Sequence, residues 1–191
     1  MTARVVVLAS GAGTLLQTVI DSAGSGALDA TIVAVVSDVP DAQALDRARA
    51  AGIPAIACRP ADFPDRGAWN LALLAAVRDV SPDWVVSAGF MRILGPVFVD
   101  AFPGRILNTH PALLPSFPGA HAVRDALAYG VKVTGCTIHL VDHGVDTGPI
   151  VAQQAVVVRP DDDEDVLHER IKQVERQLLI ETLAELIGEK T

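Results

Sequence analysis

The chain has 191 residues, half of them hydrophobic and only 4% aromatic, with a formal net charge of -8. That length suits one domain with a core large enough to stand without disulfide or metal staples, and so few aromatics leave Val, Ile, Leu and Ala to build it, as in buried parallel strands covered by helices. An acidic chain without a long Lys/Arg run excludes non-specific nucleic-acid binding, and no segment approaches a membrane span, whereas a few local N–H groups or one lysine still suffice for an anionic substrate.

The two cysteines, Cys58 and Cys136, form no CxxC pair and join no Cys/His cluster of zinc spacing. A disulfide and two free thiols both match that count, and free thiols in a reducing compartment are the preferred reading. The apolar run at the start is too short for a secretory signal. The expected location is the cytoplasm, and residues 1–191 are expected to form a single domain.

In chain order, residues 4–9 read as a buried strand, followed by the turn Ser10-Gly11-Ala12-Gly13-Thr14 and a helix over 15–23. A second buried strand is predicted at 31–36, a helix at 42–51 ending at Gly52, and a short strand at 55–58. Residues 66–80 carry Leu71, Leu74, Ala75 and Val77 at helical spacing, and 84–88 is a fourth strand. This alternation is the signature of βαβ units and an open, doubly wound, mostly parallel α/β sheet with helices on both faces. The second half is less regular. A strand at 105–110 stops at Pro111, and the three prolines of 111–118 make a rigid loop. A helix at 123–129 ends at Gly130, strands follow at 135–141 and 150–158, and the acidic 161–163 leads into a helix near 164–187.

Three segments carry chemistry. The turn at 10–14 lets backbone N–H groups approach a ligand, and the helix start behind it adds positive potential, so it suits a phosphate monoester. Leu16 breaks the dinucleotide fingerprint, and no Gly-Lys-Ser/Thr makes it a P-loop. A plain strand-to-helix turn is the equal alternative. Asn108 and His110 lie two apart at a strand end and so share one face, beyond which ligands bind in open parallel sheets. Asn108 is a neutral donor for an oxyanion and His110 a donor or proton shuttle, as attack on a carbonyl carbon requires; taken alone, the pair reads better as a polar loop cap. The segment 141–149 supplies Asp142, His143 and Asp146. A carboxylate beside His110 would fix its tautomer, and an Asx-type turn is the blander reading. Thr137 and His139 share a face of the preceding strand and are expected behind the site, orienting it.

Taken together, Leu107-Asn-Thr-His-Pro-Ala-Leu-Leu-Pro115 and Val145-Asp-Thr-Gly-Pro149 resemble the folate-dependent formyltransferases, and within them the branch acting on glycinamide ribonucleotide. Ala88-Gly-Phe-Met-Arg-Ile-Leu94, Phe117-Pro-Gly119 and Gly135-Cys-Thr-Ile-His-Leu-Val141 extend the resemblance over roughly Arg4 to Glu175. Several separated motifs in one order are far more specific than any one of them. The resemblance implies a Rossmann-related formyltransferase fold and transfer of a formyl group from 10-formyltetrahydrofolate to the amine of glycinamide ribonucleotide in purine synthesis, with no metal. It implies that Asn108, His110 and Asp146 are the catalytic trio. Gly13, Thr14 and Leu15, with Lys172 and Glu175 on the last helix, match positions that hold the ribonucleotide. Arg66, Met91, Arg92, Ile93 and Leu94 match folate-binding positions, as do Asn108, Asp142, His143, Gly144, Val145 and Asp146.

The chain departs from the family pattern at Leu15, where many members have Asn, and in ending soon after its last helix, where more strand is common. A formyltetrahydrofolate hydrolase would share the trio but usually carries an extra regulatory domain, which a first strand at Arg4 leaves no room for. A methionyl-tRNA formyltransferase would need a basic face and a further C-terminal domain. A non-catalytic folate- or nucleotide-binding module has no use for the trio. The sequence leaves open whether the chain acts alone or as a homodimer.

Overall fold

The computed structural model describes residues 2–188. Five strands run parallel: β1 (Ala3–Leu8), β2 (Ala30–Ser37), β3 (Ala55–Ala57), β4 (Trp84–Ser87) and β5 (Ile106–His110). Two more, β6 (Val133–Leu140) and β7 (Ile150–Val157), continue the sheet antiparallel. The order β3-β2-β1-β4-β5-β6-β7 places a switch point between β1 and β4. From there the chain winds outward in both directions, which opens a crevice beyond the strand ends.

The parallel strands read as apolar runs because both of their faces are covered. Val5 and Val7 of β1 face one helical layer, made by α1 (Thr14–Gly24), α2 (Gln43–Ala50) and the long α6 (Glu164–Gly188). Val6 and Leu8 face the other, made by α3 (Arg66–Arg78) and the short α4 (Pro96–Val99). A smaller cluster joins α5 (Ala122–Tyr129) through Val123 to Cys136, Val156, Leu167 and Ile171. The acidic lead into α6 acts as expected: the Asp163 carboxylate accepts from the Val166 N–H at 2.8 Å.

One stripe differs from the sequence expectation. On α3 the buried side chains are Trp69, Leu73, Leu74 and Val77, while Leu71 and Ala75 are exposed. The Trp69 indole N–H donates to the Cys58 carbonyl at 2.8 Å inside the core. That bond and the volume of the indole set the rotation of the helix, so the row 69, 73, 77 turns inward. The four-residue α4 and a single 3₁₀ turn at Pro60–Asp62 have too few residues to show periodicity and had no counterpart in the sequence reading.

Register brings the site together. Leu8 pairs with Ser87, Ser87 with Asn108, and Asn108 with His139, one lateral row across four strands; His110 lies opposite Thr137.

Candidate active site

A cavity of about 480 Å³ opens at the switch point. Its floor carries Asn108 and His110, on one face of β5 as period two requires, with His139 beside them. Asp146 comes over them from the loop between β6 and β7. Its backbone is left-handed, φ 55°, a conformation that Asp tolerates better than most residues. Its Oδ2 lies 3.3 Å from His110 Nδ1 and accepts the Gly119 N–H at 2.8 Å, while Oδ1 lies 3.5 Å from His139 Nε2. Burial by itself raises the Asp146 pKa. The hydrogen bond to His139, the Gly119 N–H and the charges of His110 and His139 outweigh it and bring the carboxyl below the usual carboxylate range.

His110 Nε2 is 2.8 Å from the Phe117 carbonyl, so each ring nitrogen faces an acceptor, and a ring protonated on both satisfies both. His139 Nδ1 donates to the Leu140 carbonyl at 3.0 Å, and Nε2, 3.0 Å from the Asn108 amide and 3.5 Å from Asp146 Oδ1, accepts from the amide in the neutral ring and donates to the carboxylate in the protonated one. Only one of the two Nδ2 hydrogens of Asn108 is used in that bond. Thr137 lies behind the wall and not on it: its hydroxyl donates to the Ala112 carbonyl at 2.7 Å and accepts from the Leu114 N–H and the Gln153 amide, fixing the chain that leaves His110.

The opposite end is made of main chain. Gly13, Thr14 and Leu15 line it, with Gly13 at φ 66° capping α1. Lys172 and Glu175 reach it from α6. Glu175 is 7% exposed. Burial raises its pKa against the opposing hydrogen bond from Thr109 and the charges of Lys172 and Arg176. Along a third side lie Met91, Arg92, Ile93 and Leu94, facing Asp142, Gly144 and Val145. Asp142 makes the Asx-type turn of the plainer reading, accepting from the Thr147 hydroxyl at 2.7 Å and the Gly144 N–H at 3.0 Å. Those bonds, Thr147 first, lower its pKa.

Two of the expected ligand residues are placed elsewhere. The Arg66 guanidinium donates to the Ile93 carbonyl and lies over the Trp69 ring at 4.7 Å, so it props the 91–94 wall from behind. His143 turns outward to pair with Asp100 at 2.9 Å, both largely exposed. Cys136 is fully buried and its thiol is pushed up to about 12, by burial first and then by Glu175, which holds it in the thiol form.

The structure also adds residues. Asp38, 3% exposed, receives the Ser10 hydroxyl at 2.5 Å and Arg92 Nε at 2.7 Å, while Ser10 Oγ accepts the Met91 N–H at 2.8 Å. This buried carboxylate joins the glycine turn to the 91–94 wall. His168 and Arg176 extend the α6 row that lines the cavity. His168 and Arg176 each stand four residues from Lys172 on the cavity face of α6, a spacing visible in the sequence; Asp38 had no such signal.

Similarity to known proteins matches this geometry. The formyl transferase family matches residues 3–183. A phosphoribosylglycinamide formyltransferase of Mycobacterium tuberculosis is 58% identical over 184 residues, 96% of this chain and 85% of its own. A trifunctional purine biosynthetic protein adenosine-3 of Drosophila melanogaster is 43% identical over 187 residues, 97% of this chain and 14% of that longer protein. The crystal structure of phosphoribosylglycinamide formyltransferase from Bacillus halodurans is similar with a TM-score of 0.95 at 40% identity, covering 98% of this chain and 97% of that one. With the sheet order, the motifs and the overall match in agreement, the chain belongs to the formyl transferase family.

Proposed function

We propose that this enzyme transfers the formyl group of 10-formyltetrahydrofolate to the amine of glycinamide ribonucleotide, a step of purine synthesis, with residues 1–191 acting as one domain in the cytoplasm. The observation that carries the reading is the convergence of Asn108, His110 and Asp146 at one end of a cavity whose other end is a glycine turn backed by Lys172.

The amine attacks the formyl carbon in its unprotonated form, giving a tetrahedral oxyanion. Collapse breaks the bond from carbon to the folate nitrogen, which takes up a proton as the new amide nitrogen loses one. The second Nδ2 hydrogen of Asn108 is available to the oxyanion. An imidazolium at His110, held between Asp146 and the Phe117 carbonyl, adds positive charge beside it. Direct donation from His110 Nε2 requires Phe117 to yield that nitrogen. Asp146 keeps the ring charged and oriented and helps pass a proton to the leaving nitrogen through water. The turn at Gly13 to Leu15 receives the phosphate, and the 91–94 wall with 142–146 receives the folate; Arg66 acts there through the Ile93 carbonyl it holds.

Formyltetrahydrofolate with and without glycinamide ribonucleotide, followed by the absorbance of the folate product, tests the reading. Product is expected only with the ribonucleotide. Equal rates without it would make the enzyme a hydrolase.

A further inference from the structure

The glycine turn does not orient itself. Two of its carbonyls are taken by α2: the Gly11 oxygen accepts the Ala44 N–H at 3.1 Å, and the Ala12 oxygen accepts Arg47 Nε at 2.7 Å. In a planar trans peptide the C=O and the following N–H point in opposite directions. Pulling both oxygens toward α2 therefore turns the N–H groups of Ala12 and Gly13 away from it, and both residues line the cavity. The α2 side is closed, since a Cβ on Gly13 would come 2.8 Å from Ala44 Cα and Cβ. Arg47 also donates from Nη1 to Gln17 Oε1 at 3.1 Å, tying the turn to the first turns of α1. Arg47 itself does not line the cavity.

We infer that Arg47 is a positioning residue for the phosphate group of the substrate: its Nε–H holds the Ala12–Gly13 peptide in the orientation that presents the Gly13 N–H to the anion. The inference rests on the turn being the phosphate site of the proposed reaction. Arg47 acts through hydrogen-bond direction and not through its charge. Without the bond the peptide is free to rotate, since glycine follows and imposes little of its own, and one N–H to a charged oxygen is lost for part of the time.

The test separates direction from charge. Arg47→Met removes the donor at nearly constant volume. Arg47→Gln restores an N–H the same number of bonds from Cα as Arg Nε, without the charge. Titration with ribose 5-phosphate, which needs no catalysis, is read beside KM for glycinamide ribonucleotide, kcat and melting temperature. Arg47→Met should weaken ribose 5-phosphate and raise the ribonucleotide KM about tenfold, the value of one charge-assisted hydrogen bond partly lost, with kcat and the folate KM within about twofold of wild type. Arg47→Gln should recover most of the loss. Equal defects in Arg47→Gln and Arg47→Met would overturn the inference in favour of charge alone. Arg47→Met at wild-type affinity would overturn it outright, as would a rise in both KM values together with a lowered melting temperature. Wild-type protein that binds ribose 5-phosphate but formylates nothing would overturn the proposed reaction and leave the role of Arg47 to the titration. Wild-type protein that binds no ribose 5-phosphate would overturn both.

Discussion

The two ends of the cavity are built from different materials. At the glycine turn the ligand-facing groups are backbone N–H groups at a helix start, and the side chains around them serve to aim or clear the peptide. At the Asp146 end the groups are side chains from β5, β6 and the loop after β6, each held by at least one hydrogen bond or ion pair. A site made of main chain tolerates changed side chains provided the backbone path survives; a site made of side chains fails with any one of them. The largest expected effect therefore lies at the second end. Asn108→Ala removes the donor proposed for the oxyanion and should lower kcat roughly a hundred- to a thousandfold, the usual consequence of losing one such donor, with folate KM nearly unchanged. Near-normal turnover in that variant would remove Asn108 from the mechanism.

At the first end the corresponding damage comes through the backbone. Gly13→Ala puts a side chain on a residue at φ 66°, with its Cβ 2.8 Å from Ala44 Cα and Cβ. The left-handed conformation alone costs about 1–3 kcal/mol, and the contact forces α2 or the turn to shift. The ribonucleotide KM should rise by more than for Arg47→Met, with a lower melting temperature and a folate KM close to wild type. A Gly13→Ala enzyme with normal stability and ribonucleotide KM would mean that the turn has another way to present its donors.

The same contrast explains what could be read before the structure. The parallel half was legible because β1, β2 and β4 are buried on both faces and the helices between strands are marked by apolar spacing, one of them also by a stop at Gly52. Asn108 and His110 were legible as a pair because strand period two fixes their common face. Their meeting with Asp146 was not, since it depends on how the loop at 142–147 folds back over β5, which spacing does not encode; family resemblance supplied it. Asp38 and Arg47 left no local mark, because their partners are 28 to 54 residues away in the first case and 30 to 35 in the second. Arg66 was read from a matching position alone and His143 from its place in the 141–149 turn as well, and neither side chain lines the cavity.

Two carboxyls of the cavity, the half-buried Asp146 and the buried Glu175, sharpen the comparison by titrating in opposite senses. Asp146 is held below its ordinary value, so its contribution to stability is present above the unfolded pKa and is lost as pH falls through the folded one. Glu175 is raised, so its contribution is present below the unfolded pKa and is lost as pH rises through the folded one. Melting temperatures of Asp146→Asn and Glu175→Gln, each taken relative to wild type from about pH 3 to about pH 7, should diverge across the carboxylate range. Asp146→Asn should fall progressively behind wild type as pH rises, and Glu175→Gln should gain on it. Parallel lines would mean that the histidines beside Asp146 do not favour its ionised form.

The smallest effect is expected at Leu15, where the two materials compete at one residue. Its backbone sits in the turn end of the cavity, and its side chain, 8% exposed, packs in the cluster under α1. Leu15→Asn offers the phosphate a side-chain donor, worth about 0.5–1.5 kcal/mol net, or a severalfold lower ribonucleotide KM. It also withdraws a buried apolar side chain whose burial is worth about 1.5–3 kcal/mol, so the melting temperature should drop as the affinity improves. A lower KM with a lower melting temperature would show that the Leu at this position trades affinity for packing. A KM that does not move, with the same loss of stability, would show that the backbone N–H groups already saturate the phosphate and that Leu15 is there for the core alone.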